Sequence, residues 1–154
     1  EVEEPKSLDI IETATAKAKK AFAIVKKPVV VEDTGIYFDE HPLFPGTYTK
    51  FAAKSLGTRG ILKLLEGGKR GAKFITIAAY CDGRNVELFE GTAEGAIATV
   101  PQGAAAKGMF YDSIFIPAGE SLTYAQMDAE GKGRTSHRAK AFKKLGKFLE
   151  GRLE

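Results

Sequence analysis

The sequence predicts an α/β domain in which helices flank a mixed β-sheet, and three observations carry that prediction. Apolar residues recur at helical spacing near both ends of the chain. The β-branched run Val29-Val30-Val31 reads as a buried strand. Lys73 to Cys81 and Val86 to Thr92 read as a hairpin around Asp82-Gly83. At 154 residues, 44% of them apolar, residues 1–154 make one domain with room for a real core.

Ser7 is the expected N-cap of the first helix, with Asp9 in its first turn favourable to the helix dipole. Ile10, Ala14, Ala18, Ala21 and Val25 then form one apolar face, and Lys17 falls at the edge of that arc. Pro28 punctuates, and the strand Val29 to Val31 ends in Glu32, Asp33, Thr34 and Gly35. A strand ending in acids and a hydroxyl suits a ligand site at the carboxyl end of a sheet strand. Asp39 to Thr47, with two prolines and a glycine, is expected to be ordered and irregular. A helical pair follows from about Lys50 to Glu66 and stops at Gly67-Gly68. Beyond the hairpin, Ala96 to Val100 and Asp112 to Ile116 are expected as short strands. The last helix starts at Ser136 and runs to about Glu150. It buries Ala141, Phe142, Leu145, Phe148 and Leu149 and leaves Lys140, Lys143, Lys144 and Lys147 wet.

The bulk numbers narrow the classes of function. A formal charge of +3 is too small to argue for nucleic acid and suits an anionic small molecule. Clean alternation of the C-terminal lysines with an apolar stripe favours a solvated helix face over a nucleic-acid surface. No apolar stretch approaches a membrane span. The lone Cys81 excludes an internal disulfide, and with His41 and His137 as the only histidines a His/Cys zinc site finds no support. The expectation is a cytoplasmic protein with neither nucleic-acid nor membrane partners.

Glu32 and Asp33 are adjacent in an extended segment, so their side chains point to opposite faces and do not form a facing pair. A hard cation such as Mg2+ suits one or two carboxylates combined with substrate phosphates. Arg138 is a cation in the first turn of a helix, opposing the macrodipole, and its spacing from Phe142 and Leu145 turns it toward the protein body. An anion or acceptor nearby would offset that placement. Lys50 follows a Pro-Gly turn and Lys132 lies between Gly131 and Gly133. With Lys17 and Arg138 they make a set able to line a polyphosphate pocket, and solvated loop lysines are the plainer alternative. Met109-Phe110-Tyr111-Asp112 offers an aromatic face and an acceptor for a nucleobase, and it equally suits core filling at a strand start.

Several anchors then occur in a familiar order: Val31-Glu32-Asp33-Thr34-Gly35, Phe44-Pro45-Gly46-x-Tyr48, Tyr111-Asp112-Ser113-Ile114-Phe115-Ile116-Pro117, Thr123-Tyr124-Ala125-Gln126-Met127 and Ser136-His137-Arg138. From about Ser7 to Leu149 the chain resembles the inosine triphosphate pyrophosphatase (Ham1-like) family, its archaeal-type branch most of all. The resemblance implies an elongated fold with a central cleft, a homodimer, and Mg2+-dependent hydrolysis of ITP, dITP and XTP to the monophosphate and pyrophosphate. Asp33 resembles the acid that binds metal or activates water, and Thr34 the hydroxyl residue beside it. Lys17, Lys50 and Lys132 match lysines that contact substrate. Ser136 opens the motif in which His137 and Arg138 match the pair that reads the 6-oxo edge of the purine. Met109, Phe110, Tyr111 and Asp112 occupy the base-binding segment, where either Met109 or Phe110 covers the base.

Members of the family open with a strand and a Thr/Ser-x-Asn-x-x-Lys phosphate loop, a helix and a second strand, whereas this sequence begins at Glu1-Val2-Glu3. The expectation is therefore a chain whose native start lies upstream, with the family's site present in part and its association altered. Glu1 is the candidate second metal ligand, with Glu3 close behind. The competing reading is a nucleotide-binding or dimerising remnant without full activity.

Overall fold

The computed structural model describes residues 7–152. Helix α1 (Ile10–Val25) is capped by Asp9, whose side chain accepts from the Ile11 N–H at 2.8 Å. The expected cap, Ser7, instead accepts from the Asp9 N–H. An anionic cap opposite the helix dipole is the stronger partner. Ile10, Ala14 and Ala18 bury against the sheet beside Ile77, Ala79 and Cys81, while Val25 is exposed because the last turn overshoots that face.

Strand β1 (Val29–Phe38) does not end at its acids. It continues because β3 (Gly71–Cys81) pairs with it antiparallel from Val29 opposite Cys81 to Phe38 opposite Ala72. Glu32, Asp33 and Thr34 therefore sit in mid-strand, and the expected placement at a carboxyl end is corrected. Strand alternation survives: Val31 packs with the α1 cluster, and Ile36 and Phe38 belong to the other core. The segment expected to be irregular contains β2 (His41–Gly46), whose Gly46 pairs with Ile36. Gly46, at φ 56°, turns the chain toward the next helix in a conformation that favours glycine.

Helix α2 (Thr49–Leu64) is broken at Gly57, where φ 63° and ψ 175° leave the helical region, so the expected helical pair is present. Strand β4 (Val86–Ile97) forms the predicted hairpin with β3 and absorbs the start of the segment expected as a separate strand. Phe110–Ser113 is a 3-10 turn, which leaves only Phe115–Pro117 as β5. The sheet order is β2-β1-β3-β4-β5. The α/β class holds, but every pairing among the described residues is antiparallel, correcting the mixed sheet.

Two helices complete the chain. Helix α3 (Ala129–Thr135), capped by Asp128, has no apolar stripe and so left no periodic signal. Helix α4 (His137–Glu150) takes its cap from Ser136 as expected and buries Ala141 and Leu145 against Ala78. Phe142, expected in the buried stripe, is 38% exposed. Lys140 and Lys144 donate to the carbonyls of Thr92 and Glu90, on the part of β4 that β5 does not cover. Those lysines help to shield a strand edge. Gly91 makes the close docking of α4 possible. A Cβ there would lie 1.9 Å from the His137 carbonyl oxygen and 2.5 Å from the Ala141 nitrogen. No helix among the described residues is long and apolar enough to cross a membrane.

Candidate active site

Docking of α4 on the sheet carries His137 and Arg138 over the polar middle of β1. Arg138 Nε donates to Glu32 Oε2 at 2.7 Å, which is the anion its placement on a helix N-terminus called for. That hydrogen bond holds the guanidinium more firmly protonated than usual, against partial desolvation. On the opposite side of the strand α1 contributes Lys17, whose Nζ donates to the Glu32 carbonyl at 3.0 Å. Lys17, Glu32, Asp33, Thr34, Thr47, Thr49, Lys50 and Arg138 together line one cavity. Its walls carry three cations and two carboxylates, of which Glu32 is committed to Arg138. One oxygen of Asp33 is fully buried.

A second cavity, of about 400 Å³, shares Thr49 and Lys50 with the first and adds Ala53, Lys54, Gly108, Phe110 and Tyr111. A cationic, hydroxyl-rich compartment thus opens beside a more apolar one. Phe110 lines the second compartment, whereas Met109 is the residue preceding the 3-10 turn and lines neither. Tyr111 is mostly core. It is 4% exposed, meets Phe38 and Phe74 edge-on, and donates its hydroxyl to the Thr49 carbonyl at 3.1 Å. Burial pushes that hydroxyl's pKa far up, so it stays a neutral donor.

Asp112, buried in the same turn, pairs with Lys132, whose ammonium also sits 5.3 Å above the Tyr124 ring. This pair fixes α3 against the 3-10 turn. His137 is buried, stacks on Phe74 at 4.5 Å between ring centroids, and contacts Thr76 Oγ1 through Nδ1 at 2.6 Å. Burial first, then the charges of Arg138, Lys132 and Lys140, lowers its pKa to about 3, so the imidazole is neutral near pH 7. The influence of Lys132 and Arg138 on His137, and of Asp112 on Arg138, marks these four as one electrostatic cluster.

Sequence reasoning named Lys17, Asp33, Thr34, Lys50 and Arg138, and the structure brings them to one cavity; Lys132, expected in the same set, lies outside that lining, held by Asp112. Sequence reasoning missed Thr47, Thr49 and Thr76. Thr49 donates to the Gly46 carbonyl and accepts from the Ile36 N–H, joining the turn, β1 and α2. Thr76 is a hydroxyl inside the apolar run Phe74 to Ala79 and is completely buried, a polarity break that could have flagged it. Among the described residues no group of three His, Cys, Asp or Glu side chains could hold a metal ion. The donor set instead fits a hard cation shared between Asp33 and a ligand's phosphate oxygens. Glu1 and Glu3 lie outside the described residues.

Fold and site define an α/β protein in which a cavity lined by three cations adjoins a more apolar one. The chain belongs to the Ham1 family, whose profile matches residues 1–148. It is 42% identical to a dITP/XTP pyrophosphatase of Saccharolobus solfataricus, over 98% of this chain and 78% of that protein. Identity to the dITP/XTP pyrophosphatase of Pyrobaculum aerophilum is 47%, over 80% of this chain and 66% of that one. The solved structure of the Staphylococcus aureus Ham1 protein superposes with a TM-score of 0.82 at 31% identity, covering 99% of this chain and 81% of its own.

Proposed function

We propose that this chain is a nucleoside triphosphate pyrophosphatase that hydrolyses non-standard purine nucleotides such as ITP, dITP and XTP to the monophosphate and pyrophosphate. The observation that carries the reading is the cavity that gathers Lys17, Asp33, Thr34, Lys50 and Arg138, with Thr34 joined through Thr76 to a neutral His137. The names of the relatives support the same substrate class.

Lys17 and Lys50 neutralise phosphate oxygens at the cationic end. Arg138 lines the same cavity, and in this reading it reaches from there to the base edge together with His137 and the Asp112-paired Lys132. A 6-oxo purine presents an acceptor where adenine presents an amino donor. Arg138, a donor at every accessible pH, and His137, through Nε2–H, therefore favour the oxo form. Phe110 supplies the apolar wall for the purine face.

At the phosphate end a water oxygen bonds to a phosphorus of the α–β bridge, the bridging P–O bond breaks, and pyrophosphate departs. Asp33 orients that water and accepts its proton. Asp33 would also hold a divalent cation such as Mg2+ with the phosphate oxygens, and the ion's chemistry is to offset the charge that builds on the leaving pyrophosphate. A homodimer belongs to this reading. The exposed apolar side chains of Leu43, Tyr48, Phe51 and Leu56 along β2 and α2 support it.

Pyrophosphate release from dITP, XTP and ATP with Mg2+, measured for this chain and for Asp33→Asn, tests the proposal. Release from dITP and XTP, little from ATP, and a loss of at least about a hundredfold in the variant are expected. Binding of inosine monophosphate without release would favour a nucleotide-binding remnant, and equal turnover of ATP would sink the base-reading assignment.

A further inference from the structure

Thr34, Thr76 and His137 form an unbroken chain of short hydrogen bonds. Thr34 Oγ1 lies 2.6 Å from Thr76 Oγ1, which lies 2.6 Å from His137 Nδ1. Thr34 and Thr76 are register partners on β1 and β3, so the sheet itself fixes their separation. One end of the chain lines the cationic cavity, and the other is the imidazole stacked on Phe74. The middle hydroxyl, Thr76, is fully buried and meets no solvent.

A hydroxyl carries one proton, so Thr76 cannot donate in both directions. Thr76 could also accept from both sides, but its own proton would then be buried without an acceptor, so two arrangements satisfy every group of the chain. In the first, Thr34 donates to Thr76, Thr76 donates to Nδ1, and Nε2 carries the ring proton. In the second, Nδ1–H donates to Thr76, Thr76 donates to Thr34, and Nε2 is bare. The first leaves a donor at Nε2 and directs the lone pairs of Thr34 toward the cavity. The second leaves an acceptor at Nε2 and frees the Thr34 proton to point into the cavity. Base edge and phosphate end are therefore set together, and Thr76 is the link.

We propose that Thr76 is a positioning residue that locks the tautomer of His137 to the hydroxyl direction of Thr34, so that a 6-oxo base selects the arrangement in which Thr34 accepts a hydrogen bond from the attacking water. This rests on the pyrophosphatase reading above. An adenine amino group requires the opposite tautomer at Nε2, which turns the Thr34 proton outward and leaves its oxygen, already accepting from Thr76, with one lone pair and a competing proton toward the reacting water. Discrimination then extends from binding to turnover through Thr76, which touches neither the base nor the reacting water.

The test combines 15N NMR of the histidine rings with kinetics on the full chain. His41 and His137 are the only histidines, so the spectrum is assignable with one His41→Gln control. The Nε2–H tautomer of His137 is expected in wild type at neutral pH. Thr76→Val, which keeps the shape and removes the hydroxyl, is expected to give a tautomer mixture. It should also lower kcat for dITP roughly tenfold with KM little changed, and narrow the dITP-to-ATP preference by a similar factor. Thr76→Ser should restore both. If Thr76→Val does not fold, Thr34→Val reports on the same tautomer from a half-buried position. An unchanged tautomer and base preference in Thr76→Val would overturn the link. The ring spectra need no substrate. A tautomer shift in Thr76→Val, with the wild-type chain inert toward dITP, would therefore overturn the pyrophosphatase reading and leave the hydrogen-bond chain standing.

Discussion

Arg138 and Glu32, 106 residues apart in sequence, meet at 2.7 Å and join the start of α4 to the middle of β1. The pair accounts for an arginine where the helix dipole disfavours one. Both side chains are about a third exposed, so solvent screens their attraction and the contribution to stability is small.

Glu32→Gln should therefore cost under about 1 kcal/mol of stability while leaving Arg138 poorly aimed. The kcat/KM for dITP is expected to fall roughly tenfold, mostly through KM, because in the proposed reaction Arg138 binds the substrate and is not a reacting group. A double-mutant cycle with Arg138→Lys checks this. Additive losses in KM would show that the two side chains act independently.

Gly91→Ala inserts a Cβ at 1.9 Å from the His137 carbonyl oxygen, and backbone cannot yield as a flexible side chain would. Overpacking of this kind costs about 1–3 kcal/mol. Urea denaturation should show that loss together with reduced activity, since lifting α4 moves His137 and Arg138. Wild-type stability in the variant would mean that α4 docks elsewhere.

His137 supplies a pH signature. Its pKa is near 6.5 in the unfolded chain and is lowered to about 3 in the fold, chiefly by burial. The unfolded state therefore binds the proton first. The stabilisation from a neutral His137 is complete above pH 6.5 and is lost as pH falls toward 3, by about 2 kcal/mol between pH 6.5 and 5. His137→Asn, which preserves an acceptor toward Thr76, should flatten Tm over that interval. A slope identical to wild type would assign the acid sensitivity to other groups.

Asp112→Ala would leave Lys132 in a partly buried site without its carboxylate partner. The expected cost is about 1–3 kcal/mol, and calorimetry would measure it. KM for dITP should rise as well, because α3 loses its tie to the 3-10 turn. Asp112→Asn, which retains an acceptor, should recover part of the stability.

The patterns readable in one dimension were local ones. Three features announced themselves: the apolar face of α1, the hairpin at Asp82-Gly83 and the Ser136 cap of α4. Each depends on residues within a few turns of each other. The sequence also grouped Asp33, Thr34, Lys17, Lys50, Lys132 and Arg138, because ordered motifs survive as strings, and of these only Lys132 falls outside the shared cavity. It ended β1 too early, since an acid pair looks like a terminus until β3 is known to lie beside it.

Tertiary structure alone decided who meets whom. Glu32 as the partner of Arg138, Phe110 rather than Met109 as the cavity wall, and Thr76 between Thr34 and His137 all depend on contacts across the sheet or between helix and sheet. Such contacts leave no periodic trace, because one buried hydroxyl or one charge at the right register suffices. Gly91 lies within the strand expected from Val86 to Thr92, and nothing in the string marks it out. Its meaning comes from the α4 backbone lying where its side chain would have been.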